Sequence, residues 1–363
     1  MFNPSRLTLA RQRRGLSSRA LAEMAGITPV TLSRIENGKN TPEPETVRKL
    51  ASTLEFPEAF FSCGDIEKPA SNTISFRSMS TMTARERDMA ESAAPFAYWI
   101  QGWVEERFNL PEPDLINFSA ERDPAAAARA LRERWTLGEQ PISHMIKLME
   151  AKGLRVFSLA EETLRIDGYS CWDGETPYIF LNTFKSAERS RFDCAHELGH
   201  LVLHRHGGPK QGKQAEAEAN LFASSFLMPE ADIRAHLPFV SSLTQIVRAK
   251  KRWGVSVSAL AYRLHKLKIL SDWQYRTMII EMGKRGYRTT EPHPMPREES
   301  TVWKMVLEEL WKERLTKHEI AKDLNLPPVE VEKLLFGLLQ TPSAGPTERV
   351  SKGPQLRVIN GQA

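Results

Sequence analysis

Several classes of protein are excluded by what this 363-residue chain lacks. Its three cysteines, Cys63, Cys171 and Cys194, are widely spaced and form no CxxC pair, which excludes a disulfide scaffold and favours a reducing compartment. No apolar run approaches the roughly 18 residues that a membrane-spanning helix needs. The opening MFNPSRLTLARQRRG has no apolar core of a secretory signal. We therefore expect a cytoplasmic protein with no membrane partner.

The remaining composition is typical of a chain that folds around hydrophobic cores. Charged residues make up 26% and hydrophobic residues 41%, and the length predicts two or three domains. The net charge of +5 is unevenly placed, because residues 1–50 hold nine Lys/Arg against four Glu. A basic N-terminal segment on a nearly neutral chain indicates a domain that binds a polyanion. The alternative is that these charges only form an ordinary solvated surface.

Hydrophobic periodicity and turn-forming residues predict a mainly α chain with a small α+β domain. The α+β part is predicted from three strand-like stretches, LRVFSL, IDGYSCW and YIFLN, which lie among helical stretches. In chain order we predict a basic helical domain, a linker with a helical connector, the α+β domain, a second helical unit and a disordered tail. Their boundaries are residues 1–63, 64–135, 136–290, 298–340 and 341–363.

The segment SSRALAEMAGITPVTLSRIENGK predicts two helices that cross at a tight turn. Ala22 is small where the helices cross, and Gly26 takes a turn position that requires positive φ. Thr28 is predicted to cap the second helix, with Pro29 in its first turn. A helix that presents its outer face to the major groove of DNA fits this pattern. The candidate DNA-binding residues are Thr28, Val30, Thr31, Ser33, Arg34, Lys39 and Arg19.

Three further arginines, Arg11, Arg13 and Arg14, are predicted to contact phosphates. The stretch, with its RIENGKNTP ending, resembles the XRE family of Cro/repressor-like domains over about residues 4–60. The resemblance implies a five-helix bundle that binds double-stranded operator DNA, commonly as a homodimer on paired half-sites. A helical bundle with the same apolar spacing and no DNA contact is the alternative.

The sequence FDCAHELGHLVLH places His196 and His200 four residues apart, so that on a helix both imidazoles can reach one metal ion. Glu197 lies beside them and can take a proton from a metal-bound water. Because HExxH recurs by chance in long chains, a third ligand must identify the site. A metzincin would need glycine where Leu203 stands, three residues before His206, so we reject that interpretation.

The predicted helix QAEAEANLFASSFLMP supplies a carboxylate as the third ligand. Glu216 is preferred, and Glu218 is the alternative. Asn220 follows Glu216 by one turn and could hydrogen-bond a ligand histidine. His204 lies on the same helix face as the two histidines, four residues after His200. It could support a ligand, be a core residue or be a ligand itself. The residue that stabilises the oxyanion is left open among Tyr169, Tyr178 and His204.

The strings SRFDCAHELGHLVLH and EAEANLFASSFLMP together resemble the ImmA/IrrE metallopeptidase family over roughly residues 140–275. The resemblance implies a zincin-like core and a zinc endopeptidase of the gluzincin type, with XRE-type repressors among the family's substrates. It carries over His196, His200 and Glu216 as Zn²⁺ ligands and Glu197 as the general base. By analogy with other zincins, YIFLN would pair its edge with an extended substrate.

Cys194 departs from the threonine or aliphatic residue that this family resemblance leads us to expect before AHELGH. A thiol next to the metal site allows a redox role, and a small core residue is the alternative.

The segment LTKHEIAKDLNLPPVEVEKLLFGL resembles a second helix-turn-helix. Thr316 and Glu319 form a capping-box pattern, and Asn325 stands where the turn needs positive φ. Glu330 and Glu332 on the second helix would repel phosphates. We therefore predict a packing or partner-binding unit in preference to a second DNA reader.

Together these patterns predict a DNA-binding transcription regulator with a zinc-dependent endopeptidase domain. Cleavage of the protein itself, or of a partner such as an XRE-type repressor, would relieve repression. One alternative is a non-proteolytic repressor or antitoxin-like protein whose peptidase-like domain senses a metal or ligand. Another is a peptidase whose basic bundle contacts only protein.

Overall fold

The computed structural model describes residues 1–66, 83–159, 167–205 and 212–339, together with the backbone of the two-residue strand Ser75–Phe76. The predicted tail, most of the predicted linker and His206 lie outside the described residues. Among the described helices, none combines the length and apolar character needed to cross a membrane.

The N-terminal bundle contains four α-helices and ends in a 3₁₀ helix, which takes the place of the fifth helix. These elements are α1 (Pro4–Arg13), α2 (Ser18–Ala25), α3 (Pro29–Glu36), α4 (Pro44–Leu54) and the 3₁₀ helix Glu58–Ser62. Gly26 ends α2 at φ 66°, and the Thr28 side chain accepts a hydrogen bond from the Thr31 amide at 3.1 Å. The predicted turn and cap are therefore confirmed.

Four helices connect the bundle to a small sheet. The helices are α5 (Ala84–Glu91), α6 (Ala93–Glu105), α7 (Pro124–Arg134) and α8 (Met145–Ala151). The bundle packs onto α6, where the Arg6 guanidinium lies 3.5 Å from the centre of the Trp99 ring and Phe60 packs on Phe96 at 6.0 Å. Burial lowers the pKa of Arg6 to about 10. The buried aromatic and cation–π contacts join the bundle to the connector.

The sheet has four strands in the order β1-β3-β4-β2. They are β1 (Ser75–Phe76), β2 (Arg155–Leu159), β3 (Gly168–Asp173) and β4 (Thr176–Asn182). β3 and β4 form an antiparallel hairpin, and β2 runs parallel to β4. β4 contains YIFLN and lies between two neighbours, so the expectation that it pairs its edge with a substrate is wrong. Both of its edges already carry ladder hydrogen bonds.

Two long helices, α9 (Ala187–Leu203) and α10 (Lys213–Leu227), pack against each other beside the sheet. Ser186 caps α9 by accepting from the Arg189 amide. Gly199 of α9 faces α10, and a Cβ at this position would lie 3.1 Å from Phe222 and 3.3 Å from Ala219. The absent side chain therefore allows the close approach of the two helices.

The rest of the described chain is helical. Its elements are α11 (Glu230–His236), α12 (Leu243–Ala249), the 3₁₀ helix Lys250–Arg252, α13 (Val257–Lys266), α14 (Asp272–Lys284), α15 (Thr301–Lys312), α16 (Lys317–Asp323), α17 (Pro328–Leu335) and the 3₁₀ helix Phe336–Leu338. The mainly α fold with a small α+β domain is thus confirmed. The Thr316–Glu319 capping box is present, and Asn325 has a φ of 52°.

Glu330 of α17 is fully buried against α1, where it forms ion pairs with Arg13 and Arg14. It therefore does not lie on a surface that could meet phosphates. The two arginines are likewise held by the protein's own carboxylate instead of facing DNA. Arg11 pairs with Glu36 at 2.6 Å. The expectation that these three arginines contact phosphates is not supported, because each is paired within the chain.

Candidate metal centre and nucleic-acid interface

Three side chains from α9 and α10 bring their donor atoms together. The Nε2 atoms of His196 and His200 lie 3.0 Å apart, and each lies 3.3 Å from a carboxylate oxygen of Glu216. Donors at about 2.1 Å from a tetrahedral ion are about 3.4 Å apart, close to these separations. Two imidazole nitrogens and one carboxylate therefore fit a metal that prefers nitrogen and oxygen ligands in tetrahedral geometry.

The electrostatics of the cluster favour an ionised carboxylate. Burial alone would raise the pKa of Glu216, but its contacts with His196 and His200 outweigh this effect and hold the pKa well below its usual value. Both histidines are buried. Negative charge on Glu216 therefore persists at neutral pH, next to two nitrogens that can donate to a metal ion.

Glu218, the alternative third ligand, lies on the far side of His204. His204 Nε2 is 3.1 Å from Glu218 Oε2, and its Nδ1 is 3.0 Å from Nδ1 of His200. The structure thus brings Glu216 to the two HExxH histidines and brings Glu218 to the histidine behind them. His204 contacts the ring nitrogen of His200 that faces away from the cluster.

The Asn220 amide donates to the backbone carbonyl of Glu216 at 2.7 Å. The hydrogen bond from Asn220 to a ligand histidine stays a prediction. The bond to Glu216 links residues four apart on one helix, so it forms within the same turn of α10.

Glu197 faces β3 from the helix that carries the histidines. Its Oε2 accepts a hydrogen bond from the Ser170 hydroxyl at 2.8 Å, and both side chains are buried. The sequence reasoning missed Ser170. A serine in a strand has no local signature of such a contact, because its partner lies 27 residues further along the chain.

The tyrosines and the thiol near the site are engaged elsewhere or inaccessible. Tyr169 donates to the carbonyl of Ala90 on α5 at 2.9 Å, and the Tyr178 ring packs on Tyr98 at 4.6 Å. Cys194 is fully buried, and burial raises the pKa of its thiol. A protonated, inaccessible thiol is a poor nucleophile, so the small-core-residue interpretation of Cys194 is favoured.

The outer face of α3 is open to solvent. The exposed candidates for DNA contact are Thr28, Val30, Ser33, Arg34, Lys39 and Arg19, and Thr31 is half-buried. Val30 is 62% exposed, although it is apolar. Thr28 caps α3, and Arg19 pairs with Glu23 at 2.9 Å in solvent. The structure therefore leaves a mixed apolar, hydroxyl and basic surface on the helix that follows the turn.

Comparison with known proteins identifies two domains. Residues 7–61 match the helix-turn-helix family model, and residues 149–265 match a peptidase family described as the IrrE N-terminal-like domain. The second match includes the HELGH helix and Glu216. The chain therefore combines a helix-turn-helix domain with an IrrE-like domain of metallopeptidase type.

Two curated proteins of Bacillus subtilis (strain 168) are similar to the N-terminal bundle. One is an uncharacterized HTH-type transcriptional regulator, RghRB, 48% identical over 48 residues, which are 13% of this chain and 34% of the relative. The other is the HTH-type transcriptional repressor RghR, 42% identical over 52 residues, which are 14% of this chain and 38% of the relative. The chain thus matches little more than a third of either relative.

Proposed function

We propose that this protein is a cytoplasmic transcription regulator with a zinc-dependent endopeptidase domain. The observation that carries the proposal is the convergence of the donor atoms of His196, His200 and Glu216 within 4.8 Å of one another. Glu197, next to one of these histidines on the same helix, supplies the base that hydrolysis requires. The similarity of the surrounding residues to a peptidase family supports this chemistry.

Each residue of the proposed site has a separate role in hydrolysis. Zinc bound by the two histidines and Glu216 supplies Lewis-acid polarisation of the scissile carbonyl and of the attacking water. Glu197 accepts a proton from that water and delivers it to the leaving amine. Ser170 is a positioning residue, because its hydrogen bond to Oε2 holds the carboxylate of Glu197 in one orientation.

His204 and Glu218 position His200. With Nε2 of His200 directed at the metal, its Nδ1–H donates to Nδ1 of His204, and the Nε2–H of His204 donates to Glu218. This chain of hydrogen bonds fixes the tautomer and ring orientation of the ligand and increases its basicity. His204 therefore supports a ligand and is not itself a ligand.

The N-terminal bundle binds operator DNA in this proposal. Helix α3 enters the major groove, where Val30, Thr31, Ser33 and Arg34 reach the bases. Thr28, Lys39 and Arg19 contact the sugar-phosphate backbone of the DNA near the ends of α3. Two copies bind paired half-sites as a homodimer. Cleavage of this protein, or of a partner XRE-type repressor, then ends repression.

The test is mass spectrometry of the zinc-loaded protein, alone and mixed with XRE-type proteins encoded beside it. Wild type is compared with Glu197→Gln, which removes the base and keeps the metal ligands. Glu175→Gln is the matched control, because Glu175 pairs with Arg205 in an exposed ion pair. Discrete cuts by wild type and by the control, lost in Glu197→Gln, are expected.

A gel-shift titration at several salt concentrations tests the DNA-binding part separately. Lys39→Ala, at a residue assigned to the phosphates, is expected to weaken operator binding and to reduce its salt dependence by about one counterion. Operator binding without cuts in any mixture would contradict the endopeptidase and favour a metal- or ligand-sensing repressor. Cuts without operator binding would leave a peptidase whose bundle contacts protein.

A further inference from the structure

A second basic region lies in the C-terminal half of the chain, far along the sequence from the helix-turn-helix domain. Residues 241–290 hold eleven Lys/Arg against two acidic residues, Asp272 and Glu281. Because the whole chain has a net charge of only +5, the rest of it is acidic on balance. Nine of the eleven basic residues are exposed. This surplus is larger than that of residues 1–50 and indicates a surface that binds a polyanion.

Helices α13 and α14, with the segments that follow them, present most of this charge to solvent. We define the α13–α14 surface by six exposed residues, which are Lys266, Lys268, Trp273, Arg276, Lys284 and Arg288. Trp273 is 75% exposed, although most of its side chain is apolar. The surface therefore combines five cations with an aromatic ring.

Two of these cations lie beside Asp272. The Nε2 atom of His265 donates a hydrogen bond to the Asp272 carboxylate at 2.7 Å, and this bond lowers the pKa of Asp272. The charges of Lys268 and Arg276 lower it further. Asp272 is thus compensated by its own neighbours and cancels only part of the local positive charge.

The other cations adjoin this group through His265. The His265 ring stacks on Tyr275 at 4.5 Å, and the charges of Lys266 and Arg288 both act on Tyr275. The contacts place Lys266 and Arg288 next to the pair formed by His265 and Asp272. The five cations therefore belong to one continuous surface. The nearest described ion pair that could neutralise it, between Glu281 and Arg285, involves none of them.

We propose that the α13–α14 surface is a second binding surface for double-stranded DNA, which contacts phosphates without reading sequence. Helix α14 holds Arg276 and Lys284 eight residues apart, about 12 Å along its axis. The major groove of B-DNA is also about 12 Å wide, so the two side chains can reach phosphates on both of its sides. A helix keeps this interval fixed, which suits the fixed phosphate positions of a duplex.

Double-stranded DNA is the polyanion that the rest of the chain favours. Residues 7–61 match the helix-turn-helix family, and the proposed function places operator DNA on that domain. A duplex held there raises the concentration of phosphates around the rest of the same molecule. Phosphate contacts carry no sequence information, so the α13–α14 surface adds affinity and leaves the choice of operator to α3. The inference does not depend on the endopeptidase.

The first experiment measures the affinity of the full-length protein for a fluorescein-labelled duplex of random sequence at several salt concentrations. The surface variant removes three of its cations, by Lys266→Ala, Arg276→Ala and Lys284→Ala. The matched control removes the same charge from exposed positions outside both basic regions, by Arg129→Ala, Lys304→Ala and Lys312→Ala. Thermal unfolding of both variants verifies that they are folded.

Fluorescence anisotropy is expected to show that the surface variant binds the duplex at least about tenfold more weakly than wild type at low salt. The slope of log affinity against log salt concentration is expected to fall by about two to three, because each lost phosphate contact contributes about 0.9. The control is expected to keep the wild-type slope, since its three cations lie away from the bound DNA.

The second experiment locates the contact in the wild-type protein, without any substitution. Reductive methylation followed by mass spectrometry measures how fast each lysine reacts. With saturating duplex, Lys266, Lys268 and Lys284 are expected to react several-fold more slowly than in the free protein. Lys304 and Lys312 are expected to react at the same rate in both.

Equal affinity and salt slope in the surface variant and the control overturn the proposal, because net charge alone then accounts for binding. Unchanged methylation of Lys266, Lys268 and Lys284 in the complex overturns it as well. An exposed aromatic ring beside cations also suits single-stranded DNA. If a single strand of the same length binds more tightly than the duplex and protects the same lysines, the assignment to double-stranded DNA is wrong.

Discussion

Glu330 accepts a hydrogen bond from Arg13 Nε at 2.7 Å, although 317 residues separate the two in the chain. Both side chains are buried, and Arg14 pairs with the same carboxylate. Burial would raise the pKa of Glu330, but the two guanidinium groups outweigh it and lower the pKa. The C-terminal unit is thereby attached to the first helix of the DNA-binding bundle.

Glu330→Ala is expected to destabilise the protein by roughly 3–5 kcal/mol, because it leaves a buried arginine without its carboxylate. Urea unfolding measures this change. Glu332→Ala is the control, since Glu332 pairs with Lys317 on the surface, and its loss should cost less than about 1 kcal/mol. Similar losses of unfolding free energy in the two variants would show that the buried ion pair stabilises the protein no more than the exposed one.

Glu216→Ala is expected to weaken zinc binding more than about a hundredfold, because it removes the proposed third ligand. Glu218→Ala removes only the partner of His204 and is expected to weaken binding by about 10- to 100-fold. Competition with a chromophoric chelator measures both affinities. If Glu218→Ala were the more damaging change, the assignment of Glu216 as the third ligand would be wrong.

Gly199→Ala is expected to lower zinc affinity several-fold. The added methyl group would lie 3.1 Å from Phe222, so α10 must shift by a few tenths of an ångström and carry Glu216 with it. Gly102→Ala on α6 is the control, because a Cβ there meets nothing within 4 Å. That change should add up to about 1 kcal/mol of stability and leave zinc affinity unchanged. Unaltered zinc affinity in Gly199→Ala would contradict the role of the close helix contact.

The stability contributed by Glu150 is expected to fall as the pH rises. Burial raises the pKa of Glu150 to about 7, against a usual value near 4.5, despite hydrogen bonds from Ser300, Thr301 and Val302. The folded state therefore keeps a proton that the unfolded state loses, and stability decreases between about pH 4.5 and 7. The full decrease is about 3 kcal/mol.

Glu150→Gln removes this titration and keeps an acceptor for the two backbone amides. Urea unfolding at pH 5 and pH 8 is expected to show that wild type loses stability relative to Glu150→Gln at the higher pH. A difference between the two proteins that is the same at both pH values would place the pKa of Glu150 outside this interval.

Features set by neighbouring residues could be predicted from the sequence. The Thr28 cap, the positive φ of Gly26 and the Thr316–Glu319 capping box each depend on residues within one turn. The shared face of His196 and His200 follows from helical periodicity alone. These predictions required no knowledge of how distant segments pack.

Features set by distant segments could not be predicted in the same way. The choice between Glu216 and Glu218 depends on how α10 is rotated against α9, and helical spacing alone left both open. The position of β4 inside the sheet depends on which strands flank it. The burial of Glu330 could not be predicted either, because nothing near it in sequence indicates that α1 supplies its partners.

The ion pairs of Glu330 also affect the charge of the N-terminal bundle. The carboxylate that pairs with Arg13 lies 317 residues further along the chain, on α17. A fragment that ends before α17 lacks this partner for Arg13 and Arg14. The helix-turn-helix domain made alone is thus expected to carry a more positive first helix than it does in this chain, so part of its electrostatic character belongs to the whole chain and not to the isolated domain.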